Sequence, residues 1–307
     1  MSSPSLILHH YPMSPYAEKI RTMLGYANVP WQSVVCKEAP PRPHLEALAG
    51  GYRRIPVAQI GADVFCDSHA ISDEIVRISQ CESLTDEALS DADKALIASA
   101  EGQLFFAAIR SCTSLALALK MIYLFSFKGF LAFMKDRQSL TQGSSIRIPG
   151  VKESKQLIDA HLAELEKMVG DEFLTGTAPT QVDFAAYHSL WLMQSMGNKK
   201  AWKKAPKTLS WLKRMEQLSR PPSHELAPEE ALAIAKAASP RAIDPSDTQH
   251  EAIGKAVSIV PSDYGRIASA GTLVASTAKT WVIAREHEDT GLVHVHFPKQ
   301  GFELIPA

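Results

Sequence analysis

The stretch RRIPVAQIGADVFCDSHAI, residues 53–71, decides the fold of this chain. Ile55 to Ile60 is an apolar run of strand length, Gly61-Ala62-Asp63 is a turn, and Val64-Phe65-Cys66 is a second run. Together they predict a hairpin. Pro56 sits inside a strand pattern, where it removes a ladder donor. One solution is an edge strand or a bulge. The other is a cis peptide between Ile55 and Pro56 that turns the Ile55 backbone toward a ligand, so that a ligand with its own peptide backbone pairs there like an added strand. Asp67 and Ser68 come next. Ser68 can cap the helix predicted by Ala70, Ile71, Ile75 and Ile78. Asp67 can instead bind an ammonium group while the helix end takes a carboxylate.

Upstream, Ser5 to His10 predicts a first strand, broken by Tyr11-Pro12-Met13-Ser14-Pro15. Ala17, Ile20, Leu24 and Ala27 recur at helical spacing until Pro30 stops the pattern, and Trp31 to Cys36 is strand-like. The order is therefore βαβ followed by ββα. Ser14 is placed as the cap of the first helix, with Pro15 at its first position. Free amides and the helix dipole make that end an anion site, and a plain cap is the other reading.

Downstream, the spacing predicts helices over 86–110, 113–137, 151–169, 180–196 and 206–219. Thr180 and Asp183 form a capping box. Residues 220–248 are a proline-rich linker with a short helix from Pro228 to Lys236. Short apolar runs at 257–260, 271–275, 280–285, 292–297 and 302–305 then predict a small antiparallel β module, expected to dock on the helices. The expected fold is α/β plus all-α, in three parts: 1–82, 86–222 and 245–307.

Composition narrows the function. The chain has 307 residues, 46% hydrophobic and 21% charged, as in ordinary globular proteins. With 32 basic and 33 acidic side chains the formal net charge is -1, so nothing favours nucleic acid or an anionic membrane as partner. The start lacks a signal-peptide pattern. The apolar region Leu104 to Phe133 is interrupted by Arg110, Lys120 and Lys128, and reads as buried helices, with its aromatic residues, Phe105, Phe106, Tyr123, Phe125, Phe127, Phe130 and Phe133, in the core. Cys36, Cys66, Cys81 and Cys112 form no CxxC or zinc-like spacing, which fits free thiols in a reducing cytoplasm. His294 and His296 share one face of a strand; without a third ligand they read as its polar face. His9 and His10 alternate faces and make no joint site. No metal is expected.

The segments YPMSPYAEKIR (11–21), RRIPVAQIGADVFCDSHAI (53–71) and FLTGTAPTQVDFAAYHSLW (173–191) together resemble the glutathione S-transferase family, in its serine-type, bacterial or fungal form with an extra C-terminal β module. The resemblance spans roughly residues 5–219. It implies a thioredoxin-like N-terminal domain, a helical-bundle domain and a homodimer. It places Ser14 at the catalytic position and Pro56 at the family's cis-proline. Ile55 would pair with the cysteinyl backbone of glutathione, and Asp67 and Ser68 would hold its γ-glutamyl end. Arg42 falls closest to a basic glutathione contact, with Arg53 and Arg54 as neighbours, although the loop around Arg42 departs from the family pattern. A solvated basic face is the plainer reading of all three. Tyr11 is the alternative catalytic donor.

Serine rather than cysteine at position 14 argues against disulfide-based reductase or lyase chemistry, since a hydroxyl forms no mixed disulfide. It can donate a hydrogen bond to the glutathione sulfur and favour the thiolate. Lowering a thiol pKa by two units needs roughly 2.7 kcal/mol. One charge-assisted hydrogen bond of about 1.5–3 kcal/mol plus a helix N-terminus suffices. The expected activity is cytoplasmic conjugation of glutathione, as co-substrate, to a small apolar electrophile. The alternative is a non-catalytic protein of the same fold that binds a ligand or partner.

Overall fold

The structure is a computed structural model describing residues 5–87, 89–141, 144, 147–170, 172–197 and 201–307. Strand β1 (Leu6–His10) is buried along its whole length. It lies between β2 (Trp31–Val35), which it pairs in parallel, and β3 (Val57–Ile60), which it pairs antiparallel. A hairpin joins β3 to β4 (Asp63–Cys66), as the Gly61 turn predicts. Helix α1 (Pro15–Tyr26) starts at Ser14, whose Oγ accepts from the Ala17 amide. Its apolar face, Ile20, Met23 and Leu24, packs with Leu6, Leu8, Ile71 and Ile75 in one core. The last two belong to α3 (Ser68–Ser79). Helix α2 (Pro43–Ala49) covers the opposite face of the sheet.

The helical part differs in detail from the sequence expectation. The helix expected over 86–110 is two helices, α4 (Asp91–Glu101) and α5 (Gln103–Ser111), broken at Gly102. Helix α6 (Leu115–Thr141) kinks at Ser126, where φ is +62°. Its apolar residues are not all core: Tyr123 is 88% exposed and Phe127 61%, whereas Phe105 on α5 is buried. The Phe125 side chain lies outside the described residues. Then come α7 (Val151–Met168), α8 (Gln181–Ser195) and α9 (Pro206–Leu218). The capping box at Thr180 is present, and Asp183 also accepts from the Leu174 amide at 2.9 Å and Trp211 Nε1 at 2.8 Å. Among the described residues no helix is long and apolar enough to cross a membrane.

The chain then returns to the sheet. Strand β5 (His224–Glu225) pairs with β2, and α10 (Pro228–Ala237) lies over the α2 side. Strands β6 (Ala256–Pro261), β7 (Ser269–Ser276), β8 (Thr280–His287), β9 (Gly291–Pro298) and β10 (Phe302–Pro306) form the expected antiparallel module. It touches the helical part, where the Gly265 amide donates to the Leu140 carbonyl of α6 at 2.8 Å and the Tyr264 ring meets Phe106 of α5, but its strands extend the N-terminal sheet. Strand β9 pairs in parallel with β4, giving one ten-stranded sheet, β10-β6-β7-β8-β9-β4-β3-β1-β2-β5. The reason is that β4 would otherwise end the sheet with an open row of backbone donors and acceptors. Val64 and Cys66 of β4 share a second core with Leu48, Ile283, Val295 and Phe297.

One buried acid fixes this junction. Asp63 on β4 accepts from His296 Nε2 at 2.7 Å and from the Arg241 amide at 2.9 Å. Burial pushes its carboxyl up, and the hydrogen bonds and charges of His296 and Arg241 outweigh that, so it titrates below the usual range. Replacing Asp63 by Ala strands these donors, with an expected loss of about 3 kcal/mol. Thermal unfolding of the variant at pH 7 checks this; a midpoint equal to that of the parent would show that the β4–β9 pairing needs no acid.

Candidate functional site

Where the hairpin meets the helices, a cleft of about 220 Å³ opens. One wall carries Ile55, Pro56, Asp67 and Ser68. The Ile55–Pro56 peptide is cis. Strand β3 begins at Val57, so Ile55 lies outside the ladder. Asp67, not Ser68, caps α3: its Oδ1 accepts from the His69 amide at 3.1 Å, and its φ of +79° is a left-handed value uncommon for a non-glycine residue. Ser68 is the first residue of the helix, so its amide is among those left free at that end.

The second wall comes from the β module, through Asp263, Tyr264 and Phe302. Gly51 lets the module approach this closely, because a Cβ there would meet the Ala268 carbonyl oxygen at 2.2 Å. Arg54 joins the two walls. Its guanidinium bonds the Asp263 carboxylate and the Tyr264 carbonyl, lies 4.0 Å over the Tyr264 ring, and sits 3.7 Å from Asp67 Oδ2. Burial works against this charge, but Tyr264, Tyr52, Asp67 and Asp263 more than offset it, so the group stays ionised. The Arg54 Nε is buried without a hydrogen-bond partner.

The floor is a buried ion cluster between the two halves of the protein. Lys19 on α1, 2% exposed, contacts Glu101 Oε1 at 2.6 Å, and His69 Nε2 contacts Glu101 Oε2 at 2.8 Å. Tyr16 Oη donates to the Glu101 carbonyl at 2.6 Å. Burial pushes the Glu101 carboxyl up, but Lys19 and His69 prevail and hold it well below its ordinary range. Glu101 in turn raises His69 to about 9.

Not every residue predicted from sequence reaches the cleft. Ile55, Pro56, Asp67 and Ser68 are brought together; Ser14, Tyr11 and Arg42 do not line it. Ser14 is 2% exposed, and Tyr11 contributes its carbonyl to the Ser14 amide. Arg42 bonds the carbonyls of Lys37 and Arg53 at 2.8 and 2.7 Å, which makes it a brace for the loop. Arg53 pairs with Asp136 on α6. Cys66 is fully buried in the second core. Of the strand histidines, His296 serves Asp63, and His294 Nδ1 is buried without a partner. Sequence reasoning missed Glu101, His69, Asp263, Tyr264 and Phe302. Only His69, adjoining the Asp67-Ser68 pair, carried a local signal.

The raised pKa of His69 sets a pH dependence. A group whose folded value exceeds its unfolded value of about 6.5 contributes stability that is complete below that pH and fades as pH rises through about 9. With a side chain 35% exposed, the contribution is screened to about 1–2 kcal/mol. The thermal midpoint of the parent should therefore fall between pH 6.5 and 9.5 by more than that of His69→Gln. Parallel curves for the two proteins would show that the His69–Glu101 contact adds nothing.

Comparison with known proteins gives two domain-level matches. Residues 8–80 match the glutathione S-transferase N-terminal domain and residues 150–220 the glutathione S-transferase C-terminal domain. A solved GST-like protein from Pseudomonas syringae is 29% identical, with 100% of each chain covered and a TM-score of 0.78. A glutathione S-transferase from Rhodospirillum rubrum F11 is 17% identical over 78% of this chain and 94% of that one, with a TM-score of 0.49. A glutathione transferase homolog from Drosophila mojavensis, with bound glutathione, is 20% identical over 70% and 88%, at 0.45. No curated protein matches. With both domain types matched in order and the architecture shared, the chain has the glutathione S-transferase fold, extended by a C-terminal β module.

Proposed function

We propose that this protein is a serine-type glutathione transferase that conjugates glutathione to a small apolar electrophile. The observation that carries the reading is the single wall formed by Ile55, Pro56, Asp67 and Ser68, a ligand-shaped set of complementary groups. The free amides at the start of α3 take the γ-glutamyl carboxylate, Asp67 takes its ammonium, and the backbone of Ile55 pairs with the cysteinyl unit.

The chemistry follows from Ser14. Its Oγ already accepts from the Ala17 amide at 3.2 Å, so its own proton is free to be donated. Donated to the glutathione sulfur at a helix N-terminus, it stabilises thiolate over thiol, and the thiol proton leaves to solvent. The sulfur then forms a bond to an electrophilic carbon as the leaving group departs or the adjacent bond takes up the electron pair. The serine is not acylated and needs no base. Because Ser14 is nearly fully buried, this requires the Tyr11–Ser14 turn to open toward the cleft. Arg42 stays outside the mechanism as a loop brace, and Tyr11 is the substitute donor if Ser14 proves dispensable.

A cytoplasmic location and a homodimer belong to the same proposal. All four cysteines are free, in keeping with a reducing compartment. The exposed apolar residues Leu119 and Tyr123 before the α6 kink, and Phe127 and Leu131 after it, are the surface a second copy would cover. Light-scattering mass in solution should give twice 33.6 kDa.

The deciding experiment follows the ultraviolet absorbance of glutathione thiolate against pH with protein in excess, and turnover with an activated aryl halide. Thiolate forming near neutral pH is the expected result. Ser14→Ala should keep the KM for glutathione and lower kcat by about 10–100-fold, or roughly 1.4–2.7 kcal/mol. Asp67→Asn should raise that KM instead. Glutathione that binds but titrates as in water would make the protein a binding module and overturn the transferase reading.

A further inference from the structure

A second cluster of chemically capable side chains lies away from the cleft, on the face of the sheet covered by α2 and α10. His9 comes from β1, Cys36 follows β2, and His44 sits in the first turn of α2. One ligand atom from each, a ring nitrogen from the two histidines and the Cys36 sulfur, lies within 4.8 Å of the others. Cys36 Sγ is 3.4 Å from His44 Nε2, and the two imidazoles stack with centroids 5.6 Å apart. None of the three lines the cleft.

The hydrogen bonds around His9 fix its tautomer. Gln59 Nε2 donates to the carbonyls of Gly61 at 3.0 Å and Ala231 at 2.9 Å, so its Oε1 must face His9 Nε2, 3.1 Å away, as an acceptor. His9 Nε2 therefore carries the hydrogen and donates it. In that tautomer Nδ1 carries no hydrogen and keeps its lone pair. That nitrogen is fully buried and has no hydrogen-bond partner. An orphaned buried acceptor is costly in a core unless something binds it. The arrangement, a ligating imidazole whose other nitrogen is held by an amide that is itself anchored at two points, is how metal-binding histidines are oriented.

We propose that His9, Cys36 and His44 form a three-ligand site for a borderline-soft cation of the zinc or cuprous class. Thiolate with two imidazoles suits such ions and not magnesium or calcium, which prefer oxygen. The ion displaces the Cys36 proton to solvent and forms bonds to Sγ and to one nitrogen of each histidine, and a water or an added ligand fills the fourth position. Its place is structural, tying β1, the end of β2 and α2 together behind the loop that Arg42 braces.

The test titrates metal-free full-length protein with Zn²⁺, and with Co²⁺ as a spectroscopic probe. One equivalent should bind, with release of one proton and a thiolate-to-cobalt charge-transfer band. Cys36→Ser should abolish the band, and His44→Gln should weaken Zn²⁺ binding by at least about 10-fold, the least that losing even an outer partner of a ligand costs. His44 is only half-buried, so that variant is expected to keep its fold by circular dichroism even where the cysteine variant does not. Cys81→Ser, outside the cluster, should bind like the parent. No stoichiometric binding by the folded parent, or equal binding by His44→Gln, would overturn the proposal.

Discussion

Three residue pairs between β4 and β9 govern this architecture: Asp63 with His294, Val64 with Val295, and Phe65 with His296. They turn a strand that would end the sheet into an interior one, and they bring an acid into a place where water cannot solvate it. The acid is tolerated because His296 of β9 and the Arg241 amide, from the segment after α10, both donate to it. Once β9 is in place, the rest of the module is carried over the hairpin, and Asp263 and Tyr264 arrive above Arg54.

The cleft inherits its character from that placement. Its floor and two walls come from parts of the chain far apart in sequence, and ion pairs run between them: Arg54 with Asp67 and Asp263, Glu101 with Lys19 and His69. Buried pairs of this kind add little net stability over apolar packing, but they are expensive to break one partner at a time. They therefore act chiefly as registry devices, setting how the helices and the β module sit against the hairpin. The glutathione reading uses one face of this arrangement, and the histidine–cysteine cluster lies on the other side of the same sheet.

Much of this was legible in the sequence, for reasons that differ by element. The βαβ-ββα order, the Ser14 cap and the Thr180–Asp183 box were readable because each depends on residues a few positions apart. Ile55, Pro56, Asp67 and Ser68 were readable because a proline within a strand and an acid–serine pair before a helix are local anomalies. The break at Gly102 was missed because a glycine in a helical pattern is tolerated until packing decides. The pairing of the module with β4 was not legible because β4 and β9 both read as short apolar strands, and nothing in either names its neighbour. His9 and His10 read as a pair along one strand, whereas the neighbours of His9 come from the residue after β2 and from α2, a grouping that only the fold creates.

The spacing of the joint between β4 and β9 also bears on how the protein is made. His296 meets Asp63 across 233 positions of chain. During synthesis the first four strands emerge long before β9 exists, so the nascent protein carries an open β4 edge and an unmatched Asp63 while α3 to α10 are being translated. Contacts this distant in sequence form slowly, and an open edge is a template for pairing with another chain. Until the module arrives, the N-terminal sheet therefore ends in a strand whose edge and whose buried acid have no native partner, and closing that edge is what the last sixty or so residues add.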